Sequence, residues 1–294
     1  MTRVDTYQRP SSSLRVSVTD RCNLRCLYCM PPEGVPQRAH DELWRLEEIE
    51  TIVRAASELG IHRVRLTGGE PLARLGIVDL VRMLSAIPGL DDLSLTTNGT
   101  LLTRYARDLK RAGLQRVNIS LDTLRPERFR DMTRIGDLKK TLDGIDAAIA
   151  CDFQQIKINT VVLRNHNHDE ILDLVNFCID RGIDISFIEE MPLGQNDHHD
   201  RAVAYYSSDQ ILEDLQQHFE LVPSTMTTAG PTRYYQLTGH DNARVGFISP
   251  HSHNFCESCN RVRVTAEGRL LLCLGQEHSM DLRHVMRANP GQSE

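Results

Sequence analysis

What the chain lacks narrows its class first. None of its 294 residues fall in an apolar run long enough to cross a bilayer, and the N-terminus has no hydrophobic stretch of the secretory-signal kind. The charge balance is acidic, with a formal net charge of -6. There is therefore no overall basic footprint for nucleic acid, and any anion site must be a local cluster. Disulfides are not expected either. Eight cysteines in a large, leaderless chain read as metal ligands in a reducing compartment, which places the protein in the cytoplasm. A further absence concerns the first three of those cysteines, which have no fourth beside them.

These three lie in Cys22-Asn-Leu-Arg-Cys26-Leu-Tyr-Cys29, a C-x3-C-x2-C loop following the strand-like run Leu14-Arg-Val-Ser-Val18. A closed structural zinc site takes four ligands. An iron–sulfur cube also takes four, so three thiolates leave one iron open to bind a substrate. Half of a zinc site completed elsewhere is the alternative. A second triplet, Cys256, Cys259 and Cys273, is spaced C-x2-C-x13-C. Here His251 or His253 could complete a Cys3His zinc site; a second cube with its own open iron is the other reading. Arg261 and Arg263 follow directly on the Cys256/Cys259 pair, two residues apart on an expected strand and so on one face, where guanidinium groups suit a polyphosphate. Cys151 and Cys178 lie in apolar helical surroundings and read as core.

Between the triplets the pattern alternates. Strands are expected at 14–18, 64–67, 93–97, 116–121, 156–163 and 183–189. Helices are expected at 46–59, 77–87, from a Thr103 cap to Gly113, from Asp137, at 169–180 and at 208–219. Six β-then-α units predict a parallel sheet with helices outside, either open and doubly wound or closed toward a barrel. The expected division is a polar, mobile lead-in (1–13), the β/α unit (14–220) and a C-terminal region (221–294). Ligands gather at the C-terminal strand ends of such folds. Gly68-Gly69-Glu70, Thr96-Thr97-Asn98, Ser120-Leu-Asp122, Asn159-Thr160 and Glu189-Glu190-Met191 lie there, each also readable as a cap or turn.

The C-x3-C-x2-C loop, Arg15-Val-Ser-Val-Thr-Asp-Arg-Cys22, Arg65-Leu-Thr-Gly-Gly-Glu-Pro71, Thr96-Thr-Asn-Gly99, Lys157-Ile-Asn-Thr160, Phe187-Ile-Glu-Glu-Met191 and the Cys256 block carry a resemblance. From about residue 12 to about residue 285 the chain resembles the radical S-adenosylmethionine (SAM) superfamily and, within it, the GTP 3′,8-cyclases of molybdenum cofactor biosynthesis. The resemblance implies a partial (β/α)6 TIM-type barrel with a small C-terminal iron–sulfur region. It implies two 4Fe–4S clusters, one on Cys22, Cys26 and Cys29 that cleaves SAM reductively, and one on Cys256, Cys259 and Cys273. By motif, Tyr28, Gly69, Ser120 and Met191 would hold SAM, and Arg15, Arg65, Thr96, Lys157, Arg261, Val262 and Arg263 would hold GTP. Implied partners are a flavodoxin- or ferredoxin-type one-electron reductant, a cyclic pyranopterin monophosphate synthase downstream and a second copy of the chain, with no nucleic acid and no membrane. A radical enzyme acting on a peptide or other small molecule is the alternative.

Two departures modify these expectations. Ser186 stands where members of the family often carry an arginine, so a phosphate contact is expected from elsewhere, such as Arg63. The sequence ends Pro290-Gly-Gln-Ser-Glu294, whereas the family ends in Gly-Gly. A chain with this ending is expected to bind GTP and cleave SAM but to couple the two poorly.

Overall fold

Alternation along the central strands determines how the chain folds. In β1 (Ser13–Ser17), β2 (Arg63–Thr67), β3 (Asp92–Thr97), β4 (Arg116–Ser120), β5 (Gln155–Val162) and β6 (Asp184–Glu189), alternate positions carry buried apolar residues. Leu14, Val16, Val64, Leu66, Leu95, Val117, Ile119, Ile158, Ile185 and Phe187 all belong to one hydrophobic core. Successive side chains point to opposite faces, so the intervening Arg15, Arg65, Ser94, Thr96, Asn118, Lys157, Asn159 and Ser186 share the other face. One side of the sheet is sealed by helices; the other is a polar wall.

The computed structural model describes residues 11–191, 199–228, 230–274 and 279–288. Most of the expected lead-in and the end of the chain fall outside them. The strands β1 to β6 pair in sequence order, all parallel. Helices α1 (Leu46–Glu58), α2 (Ile77–Ser85), α3 (Leu102–Arg111), α4 (Pro126–Thr133), α5 (Leu138–Ala150), α6 (Ile171–Arg181), the single turn α7 (Arg201–Ala204) and α8 (Ser208–Gln216) fill the connections. Asp137 caps α5 as expected, accepting a hydrogen bond from Lys139 N, and α6 stops at Gly182, whose φ of 63° suits glycine. Two local expectations need correction. Thr103 lies inside the first turn of α3 and does not cap it. And α4, which the periodicity did not reveal, starts at a proline and buries Phe129 and Met132.

The C-terminal strands β7 (Leu221–Pro223), β8 (Arg233–Leu237), β9 (His240–Ile248), β10 (Arg261–Val264), β11 (Arg269–Leu271) and β12 (Ser279–Asp281) precede a last helix, α9 (Leu282–Ala288). They extend both edges of the same 12-stranded sheet, in the order β12-β11-β10-β1-β2-β3-β4-β5-β6-β9-β8-β7. β9 runs parallel to β6 and β10 parallel to β1. Residues 249–260, which hold Cys256 and Cys259, therefore cross from one edge of the sheet to the other. The sheet also curls. Lys157 Nζ on β5 reaches the Tyr234 hydroxyl on β8 at 3.1 Å, although strands three places apart in a flat sheet would be about 14 Å apart. This is the partial, unclosed barrel that the resemblance implied, with its polar face inward.

Candidate active site

The cysteine loop leaves β1 and is clasped by the turn after β2. Gly69 N donates to Thr19 O at 2.8 Å and Glu70 N to Arg21 O at 2.7 Å. Any Cβ on Gly69 would overlap the Arg21 carbonyl, and one on Gly68, at φ 150°, would overlap that of Thr19. The two glycines are thus required by the approach of one backbone to another, whatever ligand they also touch. Glu70, almost wholly buried, accepts from Leu72 N, Thr97 Oγ1 and Asn98 N, tying this turn to the next strand end. On the other side Arg25 N and Leu27 N donate to Thr133 O and Met132 O at the end of α4, and Arg134 donates to the carbonyls of Arg25 and Met30.

Tyr28 anchors the loop from within. Its hydroxyl donates to Asp122 Oδ2 at 2.7 Å, and Asp122 Oδ1 accepts from Val161 N. Burial pushes the Asp122 carboxyl up to about 6 despite these donors. Burial likewise pushes the Cys22, Cys26 and Cys29 thiols up, Cys26 most strongly, where Asp122 and the neighbouring cysteines add to it. Such thiols ionise only against added positive charge, as iron would provide. Among the described residues no three His, Cys, Asp or Glu side chains are close enough to hold a single ion. The three thiols lie close enough to feel one another's charge, on a loop fastened from both sides, which suits one shared cluster.

Inside the curl a row of cations faces across adjacent strands. Arg263 pairs in register with Arg15, and Arg15 with Arg65. Burial, then repulsion by neighbouring arginines (Arg65 for Arg15, Arg116 for Arg65, Arg261 for Arg263), lowers all three; Arg65 and Arg263 come down to about 10, so both keep their charge at neutral pH. Lys157, from the opposite wall, is lowered well below the usual lysine range, first by burial and next by Arg65. Lower on the wall two cations have acids: Arg116 pairs with Asp92, and Arg244 with Asp184. Among the described residues no carboxylate pairs with Arg15, Arg65, Lys157, Arg261 or Arg263. The same face carries two buried polar atoms without a hydrogen-bond partner, Asn159 Oδ1 and Ser186 Oγ, adjacent in register on β5 and β6. The positive charge without acids marks a place for an anionic ligand, to which the Ser186 hydroxyl could donate; Asn159 Oδ1, an acceptor, would need a donor group of the ligand.

The second triplet adjoins this row. Arg261 Nη2 approaches Cys259 Sγ at 3.7 Å, and Arg263 feels the charge of both Cys259 and Cys273. The two histidines that could have made a Cys3His site are engaged elsewhere: His251 with Glu190 O at 2.9 Å and His253 with Asp209 at 2.7 Å.

A family model described as Radical SAM superfamily matches residues 16–178, and one described as Molybdenum Cofactor Synthesis C matches residues 183–294. The GTP 3′,8-cyclase of Pseudomonas syringae pv. syringae is 54% identical over 291 residues, 99% of this chain and 87% of that protein. That of Saccharophagus degradans is 50% identical over 293 residues, 100% and 88%. The chain belongs to the GTP 3′,8-cyclase family of radical SAM proteins. Among solved structures, Streptococcus suis SuiB bound to precursor peptide SuiA superposes with a TM-score of 0.71 at 17% identity. That match covers 97% of this chain and 66% of SuiB, just under two thirds. Native anSMEcpe with bound AdoMet gives 0.61 at 16% identity, covering 93% and 80%. At these identities the likeness shows the fold alone.

As a radical SAM protein the chain has a 4Fe–4S cluster and SAM for cofactors. The residues that the cyclase motifs single out fall into distinct places. Ser120 lies on the inner face opposite Asn159, and Thr96 beside Asn118. Met191, half-buried, follows directly on β6 and Glu190. Val262 lies on the other face from Arg261 and Arg263, packed on the core, so any part it takes in the site is through its main chain. Arg63 shares the inner face one step nearer the strand start than Arg65. Two further inward residues, Thr232 just before β8 and Tyr234 on it, are not among the sequence-derived candidates. Their signal lies in the alternating run Arg233-Tyr-Tyr-Gln-Leu237 and the following Thr-Gly-His turn.

Proposed function

We propose that this chain converts GTP to (8S)-3′,8-cyclo-7,8-dihydroguanosine 5′-triphosphate, the first committed product of molybdenum cofactor biosynthesis, with a cluster on Cys22, Cys26 and Cys29 and a second on Cys256, Cys259 and Cys273. The observation that carries this reading is the row of buried cations that have no carboxylate partner among the described residues, on the strand that leads into the first thiol triplet and next to Cys259 and Cys273 of the second. When bound, the first cluster and SAM supply the one-electron chemistry that removes the ribose 3′ hydrogen. The remaining tasks fall to the protein. Tyr28, Gly69, Ser120 and Met191 seat SAM beside the first triplet. Arg15, Arg65, Lys157, Arg261 and Arg263 neutralise the triphosphate, with Thr96 and the main chain of Val262 beside them, while the second triplet faces the base. Holding the ribose over the radical source accounts for the rate through orientation and exclusion of water.

No helix among the described residues is long and apolar enough to cross a membrane. The setting we propose is cytoplasmic, with an external flavodoxin- or ferredoxin-type reductant and with cyclic pyranopterin monophosphate synthase consuming the product. Anaerobic incubation of the reconstituted protein with SAM, reductant and GTP, ATP or a peptide tests the assignment. Cyclised guanosine triphosphate, separated and identified by mass spectrometry, is the expected product with GTP alone. Deoxyadenosine release stimulated by a peptide and not by GTP would move the chain to the alternative reaction class.

A further inference from the structure

Lys157 is held from outside the central barrel. Its ammonium group has three N–H donors. One goes to Thr232 Oγ1 at 3.3 Å, just before the C-terminal strand β8, and one to the Tyr234 hydroxyl on that strand at 3.1 Å. All three residues are at least nine-tenths buried. Two strands lie between β8 and β5, and what permits the contact is the size of the residues on them. In register the row runs Tyr234, Gly246, Ser186, Asn159. A Cβ on Gly246 would overlap the Thr232 methyl and come within 2.9 Å of Ser186 Oγ and 3.2 Å of the Tyr234 ring. Glycine and serine thus lower the inner wall enough for Tyr234 and Thr232 to lean over it. Among the described residues the third donor of Lys157 has no partner, and the same face of the sheet carries Ser186 Oγ and Asn159 Oδ1, which also have none.

We propose that Thr232 and Tyr234 are positioning residues that aim the remaining Lys157 donor at the terminal phosphoryl group of the nucleotide, so that this end of the groove reads the third phosphate. The inference rests on the GTP reading above. In that reading the base lies toward Cys259, which adjoins Arg15, Arg261 and Arg263. A phosphate chain leaving it passes Arg263, Arg15 and Arg65 before it reaches the far wall, where Lys157 stands. The two hydroxyls give Lys157 a fixed direction without adding charge. The site then discriminates by where one donor points and not by total positive potential, which would strengthen every phosphate of the chain alike.

The test is calorimetric titration of the reconstituted holoenzyme with GTP, GDP and GMP. Unaltered protein should bind GTP more tightly than GDP. Tyr234→Phe and Thr232→Val should each weaken GTP about three- to ten-fold, the range for one lost hydrogen bond, and leave GDP and GMP within about two-fold. Thr232→Ser keeps the hydroxyl and should restore GTP binding. Should Tyr234→Phe fold poorly, as judged by circular dichroism and iron content, the valine–serine pair at position 232 carries the comparison. Equal losses for all three nucleotides, no loss for GTP, or unaltered protein that binds GTP no better than GDP would overturn the proposal and leave GTP binding itself intact. An unaltered protein that binds none of the three removes the GTP reading, and this inference with it.

Discussion

Lys157 is also the residue whose ionisation should report on substrate. Burial depresses its amine first; Arg65, Arg116 and Arg15 lower it further, and Asp184 opposes them. The groups facing it from the β8 side, Thr232 and Tyr234, are neutral. A phosphate bound beside it favours the charged form, so its pKa in the complex lies above that in the free protein. Between those two values binding takes up a proton, and affinity falls as pH rises. GTP titrations at alkaline pH in buffers of different ionisation enthalpy should therefore show net proton uptake, and Lys157→Gln should abolish it. The same variant should weaken GTP by about ten- to a hundred-fold, the loss expected for a charge-assisted contact of roughly 1.5–3 kcal/mol. Binding that shows no proton uptake at any pH across the alkaline range, and that Lys157→Gln does not weaken, would mean that no phosphate touches this amine. The arginines need no such linkage, since Arg65 and Arg263, although lowered to about 10, are charged throughout the neutral range. Which cations belong to the site is legible in the sequence only through the motifs that contain them. Which lack acids is not, because Arg116 and Arg244 look no different until Asp92 and Asp184 are brought beside them.

At the scale of elements, the cysteine loop depends on its neighbours more than its own sequence suggests. Gly69 is expected at the site as a SAM contact; its position against the Arg21 carbonyl gives it a duty that precedes any ligand. Gly69→Ala should therefore lower the iron bound on reconstitution in the complete absence of SAM, read from absorbance and iron assay. Full iron with weakened SAM binding would make the glycine a ligand contact alone. Tyr28→Phe makes the companion case. It removes the donor to a buried carboxylate, at a cost of about 1.5–3 kcal/mol in loop stability. Iron should pass to a chelator at least several-fold faster than from the unaltered protein, and an unchanged rate would show that the Asp122 bond does not secure the loop. The core strands and most helices are legible because a two-residue or a 3.6-residue rhythm of apolar positions persists through them. The short α4 is not, having too few turns to establish a rhythm among its arginines and acids. The β8–β9 hairpin has an ordinary alternating pattern, but nothing in that pattern sets Thr232 and Tyr234 against Lys157. Only the curl of the sheet does so, and it depends on small residues at positions 186 and 246.

Considered whole, the molecule places both ends of its barrel sheet under the control of one segment. Residues 249–260 leave β9 beside β6 and arrive at β10 beside β1, so Cys256 and Cys259, two of the three thiols of the second triplet, are carried across the opening of the curl. No periodicity in the sequence could have announced this, because the pairing partners are distant in the chain and the crossing itself is irregular. What fastens it is Glu189, at the end of β6 and wholly buried. Its carboxylate accepts from Ser208 N at 2.8 Å, His251 N at 3.0 Å and Ser252 N at 3.1 Å, and from the Ser252 hydroxyl. Burial alone would raise this carboxyl; those donors outweigh it and hold it below the usual range. Glu189→Gln puts an amide N–H where acceptors are needed and should cost about 1–3 kcal/mol, concentrated in the crossing segment. The first triplet sits on a loop fastened by other residues. On the two-cluster reading proposed above, the unaltered protein should take about eight iron per chain and the variant about four, with the loss confined to the second site. Spectra of Glu189→Gln combined with Cys22→Ala, which should hold almost no iron, check that assignment. A Glu189→Gln protein that still carries about eight iron would show that β9 and β10 alone suffice to bring Cys256 and Cys259 to Cys273.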